Sequence, residues 1–266
     1  MQRFFVEPSS IGNNRVPLSR EQAHQIRDVL RLRPGDSIIV LDNAGWEYQV
    51  TLTAIRHEQV IGEIVQKRQA SGEPKVHLTL YQSLLTRDKF EFVLQKCTEI
   101  GVCEFVPVIT QRSIVRSRIP GRDKLDRWQK IITEAAEQCE RGRIPELREP
   151  VNFEHAIKEN QISKIKYQKC RINFSDTNEK EYDCRLIAST SSGAKNLHEA
   201  LTSGSEKPTN IALFIGPEGG FTDDEVRLAC ENGIVPVSLG KRILRTETAA
   251  MITSALILYE LGEIRP

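Results

Sequence analysis

The strongest constraint on the fold of this chain is a strand, turn and helix pattern that occurs twice in succession near its C-terminal end. Ile211-Ala212-Leu213-Phe214-Ile215 is an unbroken apolar run, too short for a helix and suited to a strand buried on both faces. It leads into Gly216-Pro217-Glu218-Gly219-Gly220. Thr222-Asp223-Asp224-Glu225 then has the form of a capping box, opening a helix that should end near Gly233. Val235 to Leu239 is a second buried strand, Gly240-Lys241-Arg242 a loop, and Thr246 the expected cap of a helix from Glu247 to Leu261, stopped by Gly262. Two such units in a row put both loops at the same edge of a parallel sheet, where open α/β sheets bind ligands.

The same alternation reaches back to residue 76. Val76 to Gln82 and Glu104 to Ile109 read as strands, and Asp88 to Ile100 as a helix with Phe90, Val93, Leu94 and Cys97 on one face, stopped by Gly101. A longer helix, Asp123 to Arg141, carries Leu125, Trp128, Ile131, Ile132, Ala135 and Cys139 as an apolar stripe, so Trp128 reads as core. Lys166 to Asp183 holds neither period and reads as an irregular insertion, before a short strand at Leu186-Ile187-Ala188. The N-terminal part differs. Ser19-Arg20-Glu21-Gln22 starts a helix leading to Ile26, Val29 and Leu30, and strand patterns follow at 37–42, 47–55 and 59–65. The expected division is a small β-barrel with one helix over residues 1–70, a polar linker at 71–76, and an α/β domain over 77–266.

Composition excludes several classes. Hydrophobic residues at 39% and charged residues at 27% describe an ordinary globular chain rather than a disordered one. The apolar run from Ala249 to Leu261 is too short to span a bilayer and contains Thr253, Ser254 and Glu260, and charge and proline interrupt the N-terminus before a signal-peptide core can form. A cytoplasmic protein with no membrane partner is expected. The six cysteines, Cys97, Cys103, Cys139, Cys170, Cys184 and Cys230, have no zinc-site spacing, so no metal is expected. The net charge of +1 does not announce a nucleic-acid binder, but Thr110 to Ile131 holds seven Arg or Lys against two Asp. Charge alone leaves that patch equally open to a phosphate-binding surface and a solvated helix face.

The first glycine-rich turn is a poor phosphate site. Pro217 lacks an amide hydrogen, Glu218 brings a negative charge, and the dinucleotide and P-loop fingerprints are missing. A ligand held by backbone groups and carrying positive charge suits it better, and S-adenosylmethionine, with its sulfonium, is such a ligand. Alone, the turn would be better read as structural, its glycines merely allowing positive φ. The second loop adds Arg242, Arg245, Thr246, Glu247 and Thr248 beside an apolar floor of Leu239, Ile243 and Leu244, an inventory that structural loops rarely concentrate.

Gly216-Pro217-Glu218-Gly219-Gly220-Phe221-Thr222, followed by Leu239-Gly240-Lys241-Arg242-Ile243-Leu244-Arg245-Thr246-Glu247-Thr248-Ala249, closely resembles the RsmE family, the 16S ribosomal RNA uridine-N3 methyltransferases of the SPOUT superfamily. The similarity extends to Arg3-Phe4-Phe5, Phe90 through Gly101, Thr110-Gln111-Arg112-Ser113, Arg127-Trp128-Gln129-Lys130, Glu134 to Cys139 and Arg143-Ile144-Pro145, and covers essentially the whole chain. The resemblance implies an α/β fold: a SPOUT-type, trefoil-knotted parallel-sheet methyltransferase domain preceded by a small PUA-like RNA-binding β-barrel. It further implies S-adenosyl-L-methionine as cofactor, 16S rRNA in the assembled 30S subunit as partner, and a homodimer. Cofactor contacts would fall on Ala188, Ser189, Thr190, Gly216, Gly219, Gly220, Leu239, Gly240, Ile243, Leu244 and Arg245. Family members commonly have Ala-His-Pro where this chain has Ala188-Ser189-Thr190.

Methylating N3 of uracil requires loss of its imide proton, so negative charge spreading onto the flanking carbonyls must be stabilised. Arg245 or Arg112 is expected to do this, with Glu247 or a water assisting proton removal; Glu247 serves equally well as a carboxylate favoured by the helix dipole. The RNA-facing set implied by the resemblance is Arg27, Arg31, Arg112, Arg116, Arg118 and Arg143. Trp46 could stack on a base, His24 and His57 belong to the barrel surface, and Glu137, Gln138 and Arg141 either line the site or pair locally. Three other readings stay open: a related enzyme acting on another base or a ribose 2′-oxygen, a catalytically silent RNA-binding protein, and a dinucleotide oxidoreductase.

Overall fold

A computed structural model describes residues 1–56, 59–113, 120–158, 182–191, 193–204 and 206–264. The chain divides into two compact units, one made of Met1–Glu73 with Ile132–Ile144 and the other of Pro74–Ile131 with Pro145–Pro266. The first contains a five-stranded sheet in the order β1-β3-β4-β5-β2, formed by β1 (Arg3–Phe5), β2 (Arg15–Leu18), β3 (Ser37–Leu41), β4 (Trp46–Ile55) and β5 (Val60–Gln69). β1 runs parallel to β3 and the other pairs are antiparallel. Alternate residues of these strands, among them Phe4, Val16, Ile38, Val40, Val50 and Leu52, form the core together with Ile26.

Helix α1 (Arg20–His24) begins in a complete capping box, with Ser19 and Gln22 satisfying each other's backbone amides, and continues as a wider π-type turn over Gln25–Val29. Three strands go beyond the expectation from sequence. β1 and β2 are short enough to show little period, and β5 continues to Gln69, because Gln66-Lys67-Arg68-Gln69, polar and without alternation, pairs in register with Gln49 to Trp46. Backbone hydrogen bonding, rather than burial, makes that segment a strand.

The second unit is built on an eight-stranded sheet whose paired strands are all parallel. Along β11-β13-β10-β12-β6-β7-β8 run β11 (Lys195–Asn196), β13 (Val235–Ser238), β10 (Cys184–Ala188), β12 (Asn210–Ile215), β6 (His77–Ser83), β7 (Glu104–Ile109) and β8 (Glu146–Leu147), while β9 (Val151–Asn152) also pairs with β7. Helices cover both faces. α2 (Arg87–Ile100) packs on α7 (Thr246–Leu261), which lies against β6 and β12. On the other face, α4 (153–158) and α6 (Asp223–Glu231) bury Phe153, Ala156, Ile157 and Ala229 against Tyr81, Val106, Ile187 and Phe214. Helix α3 (Arg122–Gln138) starts in this unit and ends in the first, and α5 (Leu197–Thr202) follows β11.

The strand order makes the chain cross itself. Val237 pairs with Ala188 on one side and with Lys195 on the other, so the connection from Ala188 to Lys195 passes over β13. The chain end then returns as α7 to β12 and β6, the kind of crossing a trefoil knot requires. One expectation is corrected here: Thr246 does not cap α7. Arg245 occupies the cap position without a side-chain bond, and the Thr246 hydroxyl is engaged elsewhere. Most of the expected insertion at Lys166 to Asp183 lies outside the described residues; at its end the Asp183 carboxylate accepts the amides of Thr209 and Asn210.

Candidate active site

Three loops leave the C-terminal ends of the adjacent strands β10, β12 and β13 and line one cavity of about 320 Å³ with Arg112, Thr246 and Ala249. Every residue expected to touch a cofactor lines it except Arg245, which is exposed and outside the lining. Each loop has a local cause. Gly220 has a positive φ of 68° and donates its amide to the Pro217 carbonyl at 2.9 Å, closing the turn. A Cβ on Gly216 would stand 3.1 Å from the Phe221 amide nitrogen, so the turn folds back against bare backbone.

The loops are tied together by buried polar groups. The Thr246 hydroxyl donates to the Gly216 carbonyl at 2.5 Å and accepts from the Gln82 side-chain amide at 3.3 Å. Thr222 and Glu225 form the expected capping box. Arg112 donates from one guanidinium nitrogen to the carbonyls of Gly219 and Phe221, at 2.8 and 3.3 Å. The negative charge that Glu218 brings to the turn is offset by Lys89 of α2, whose ammonium lies 3.1 Å from the carboxylate. The sequence pointed to neither Lys89 nor the pocket side chain Val226; Thr246 stood in the loop inventory and Ala249 in the motif, but the role of Thr246 as a tie was not legible there.

Glu247 lies in the first turn of α7, half-buried and outside the cavity lining, with one carboxylate oxygen buried and without a hydrogen-bond partner among the described residues. Arg116, Arg118 and His57 fall outside the described residues. Arg27 is bonded to the carboxylate of Asp28, whose pKa is pulled down to about 2 chiefly by that contact, and His24 lies 2.5 Å from the same carboxylate. Arg31 is exposed, and Arg143 is exposed with its guanidinium donating to the Ala44 carbonyl at 3.1 Å. Within the basic stretch Arg127 pairs with Glu91. Trp128 is core, packed against Phe90 with ring centroids 4.3 Å apart and the rings tilted by 36°, whereas Trp46 is partly exposed beneath the Lys67 ammonium. Glu137 and Arg141 lie outside the cavity lining and bond to partners distant in the chain, the Phe5 amide and the Glu73 carboxylate, rather than to helical neighbours.

Residues 72–258 match the RNA methyltransferase domain family, and residues 18–65 match the RNA methyltransferase PUA domain. A ribosomal RNA small subunit methyltransferase E of Synechocystis sp. is 34% identical over 96% of this chain and 76% of its own length. The chain belongs to the ribosomal RNA small subunit methyltransferase E family. A second RsmE relative, from Bacillus subtilis, is 29% identical over 100% of this chain and 99% of its own. The crystal structure of the RsmE enzyme from Neisseria gonorrhoeae bound to S-adenosyl methionine is 30% identical, with a TM-score of 0.79 and 97% of each chain covered. The fold class that the sequence resemblance implied, a SPOUT-type parallel-sheet domain preceded by a PUA-like sheet, is the one this RsmE member adopts.

Proposed function

We propose that the chain transfers a methyl group from S-adenosyl-L-methionine to N3 of one uridine in the 16S rRNA of the assembled 30S subunit, and that it does so as a cytoplasmic homodimer. The observation that carries this reading is the cavity formed where β10, β12 and β13 end. Its volume lies at the lower end of the roughly 300–1,000 Å³ of small-molecule sites. The donor set fits the cofactor: backbone groups of Gly216 to Gly220 and Leu239 to Gly240 can hydrogen-bond an adenosine, with Ile215, Val226, Leu239 and Leu244 as apolar walls. The Neisseria gonorrhoeae relative was solved with S-adenosyl methionine, which supports the same assignment here.

Bound there, the cofactor supplies an electrophilic methyl group on sulfur. The protein's task is to hold uracil as its N3 proton leaves and to stabilise the charge that spreads to its carbonyl oxygens. Arg112 is the better placed of the two candidate arginines, because it lines the cavity, and only one of its terminal nitrogens is committed to the loop carbonyls. Arg245, facing solvent one residue before α7, is assigned to the RNA side of the same opening. Glu247, with its unpartnered oxygen, is the candidate acceptor for the imide proton, directly or through water. Arg27, Arg31, Arg116, Arg118 and Arg143 are assigned to phosphates, residues 1–70 to RNA binding and 77–266 to transfer, with Arg116, Arg118 and Arg143 of the latter range also meeting RNA.

The test is to incubate purified protein and S-adenosylmethionine with 30S subunits from a strain lacking the modification, then analyse the RNA by nucleoside mass spectrometry and primer extension. One new 3-methyluridine in 16S rRNA is expected. A methyl group on a different atom would discard the target, and no methyl despite cofactor binding would discard the activity.

A further inference from the structure

Glu225 has a second contact that its capping role does not explain. The side chain is 4% exposed, and each carboxylate oxygen accepts a backbone amide at 2.8 Å: one from Thr222, completing the cap of α6, and the other from Gln111, in the loop after β7. Capping uses one oxygen, so glutamine would serve it equally well. The bond to Gln111 is the one that calls for a carboxylate.

Gln111 is the second residue of a closed turn. Ser113 donates its amide to the Thr110 carbonyl, and its hydroxyl accepts the Thr110 amide at 3.2 Å and lies 2.8 Å from the Thr110 hydroxyl. The next residue is Arg112, whose guanidinium is bonded to Gly219 and Phe221 and whose stem lies so close to Gly219 that a Cβ there would stand 3.3 Å from Arg112 Cδ. A ring results: Glu225 to Gln111, Arg112 to the carbonyls of the glycine turn, and the turn through Thr222 back to Glu225.

We propose that Glu225 is a positioning residue for methyl transfer, acting through Arg112 by pinning the Thr110 to Ser113 turn against the cofactor loop. This rests on the functional reading above, in which Arg112 meets the uracil. Burial makes the arrangement stiff, since a carboxylate removed from water and bonded to two amides cannot relax without leaving one of them unpaired. A group set this way should affect the transfer step more than cofactor affinity.

The experiment compares wild type with Glu225→Gln, Thr222→Ala, Arg112→Ala and the Glu225→Gln/Arg112→Ala double variant. Single-turnover transfer to 30S subunits, cofactor Kd by calorimetry and backbone hydrogen exchange over residues 110–113 are measured for each. Glu225→Gln is expected to slow transfer about tenfold, to change the cofactor Kd less than about threefold, and to speed exchange at Gln111. Thr222→Ala, which loses the reciprocal cap but keeps the Gln111 bond, should lower Tm and leave transfer and exchange near wild type. The double variant should be no slower than Arg112→Ala alone. Additive slowing, or a Thr222→Ala rate as low as that of Glu225→Gln, would overturn the proposal. Should wild type transfer no methyl, the functional reading falls, and the exchange data still judge the clasp: unchanged exchange in Glu225→Gln removes it.

Discussion

Glu137 is a carboxylate held where water reaches it poorly. Burial pushes its pKa up from 4.5 to about 7, the Phe5 amide it accepts at 2.9 Å opposes the shift, and the nearby charge of Glu134 adds to it. The native state therefore holds this proton more tightly than the unfolded chain does. By linkage, its contribution to stability is fully present below pH 4.5 and is lost as pH rises through about 7. Glu137→Gln removes the titration. We expect the difference in unfolding free energy between wild type and Glu137→Gln to move by on the order of 1 kcal/mol against wild type between pH 5 and 8, after allowing for residual solvent screening. Urea unfolding at the two pH values measures it, and a pH-independent difference would rule the mechanism out. Contacts like this were hidden in the sequence. Glu137 reaches Phe5, Glu225 reaches Gln111 and Lys89 reaches Glu218, each across a long stretch of chain. Local chemistry, such as the Ser19 and Thr222 capping boxes or the positive φ of Gly220, was readable because partner and donor sit within a few residues.

At the level of elements, the β4 and β5 pair shows how tightly one position can be specified. Gly62 sits in β5 opposite Leu52, and a Cβ added to it would come 2.1 Å from Val50 Cγ1. Val50 is fully buried, so it has nowhere to move. Gly62→Ala should cost about 1–3 kcal/mol through overpacking, and Val50→Ala in the same chain should recover part of that loss, because it removes the atom that clashes. Denaturant melts of the two single variants and the double variant check this; losses that simply add would mean that the two sites are not in contact. The buried strands of the second unit were legible as continuous apolar runs, since a parallel strand covered on both faces has no polar period to blur it. β1 and β2 were not, because three or four residues are too few to show a period although Phe4, Val16 and Leu18 are buried, and the last residues of β5 were not, because hydrogen-bonded partners rather than side-chain burial define them. The Thr246 cap failed for a related reason: a threonine before a helix suits capping, but here its hydroxyl is more strongly claimed by the Gly216 carbonyl.

The whole molecule poses a question that no single loop answers: what covers the outer side of α7. Its inner face buries Ala250, Thr253, Ser254, Ile257 and Leu258, yet Ile252, Leu256 and Tyr259, spaced to share the opposite face, are 45%, 41% and 50% exposed. A helix that is apolar all round is normally enclosed. The same helix begins beside the cavity, where Thr246 and Ala249 form part of the lining. A second copy of the chain covering this face would shield the stripe and place its own residues near the opening, in keeping with the proposed homodimer, and a two-fold contact needs only one self-complementary patch. Sedimentation of wild type should then give twice the 30.2 kDa chain mass, while Leu256→Glu, which places a charge in the centre of the stripe, should sediment as a monomer with unchanged helix content and greatly reduced transfer. A wild-type monomer would remove the dimer from the mechanism. A dimer that survives Leu256→Glu would move the interface to another face and leave the stripe on α7 to a different partner, with RNA phosphates ruled out by its lack of charge.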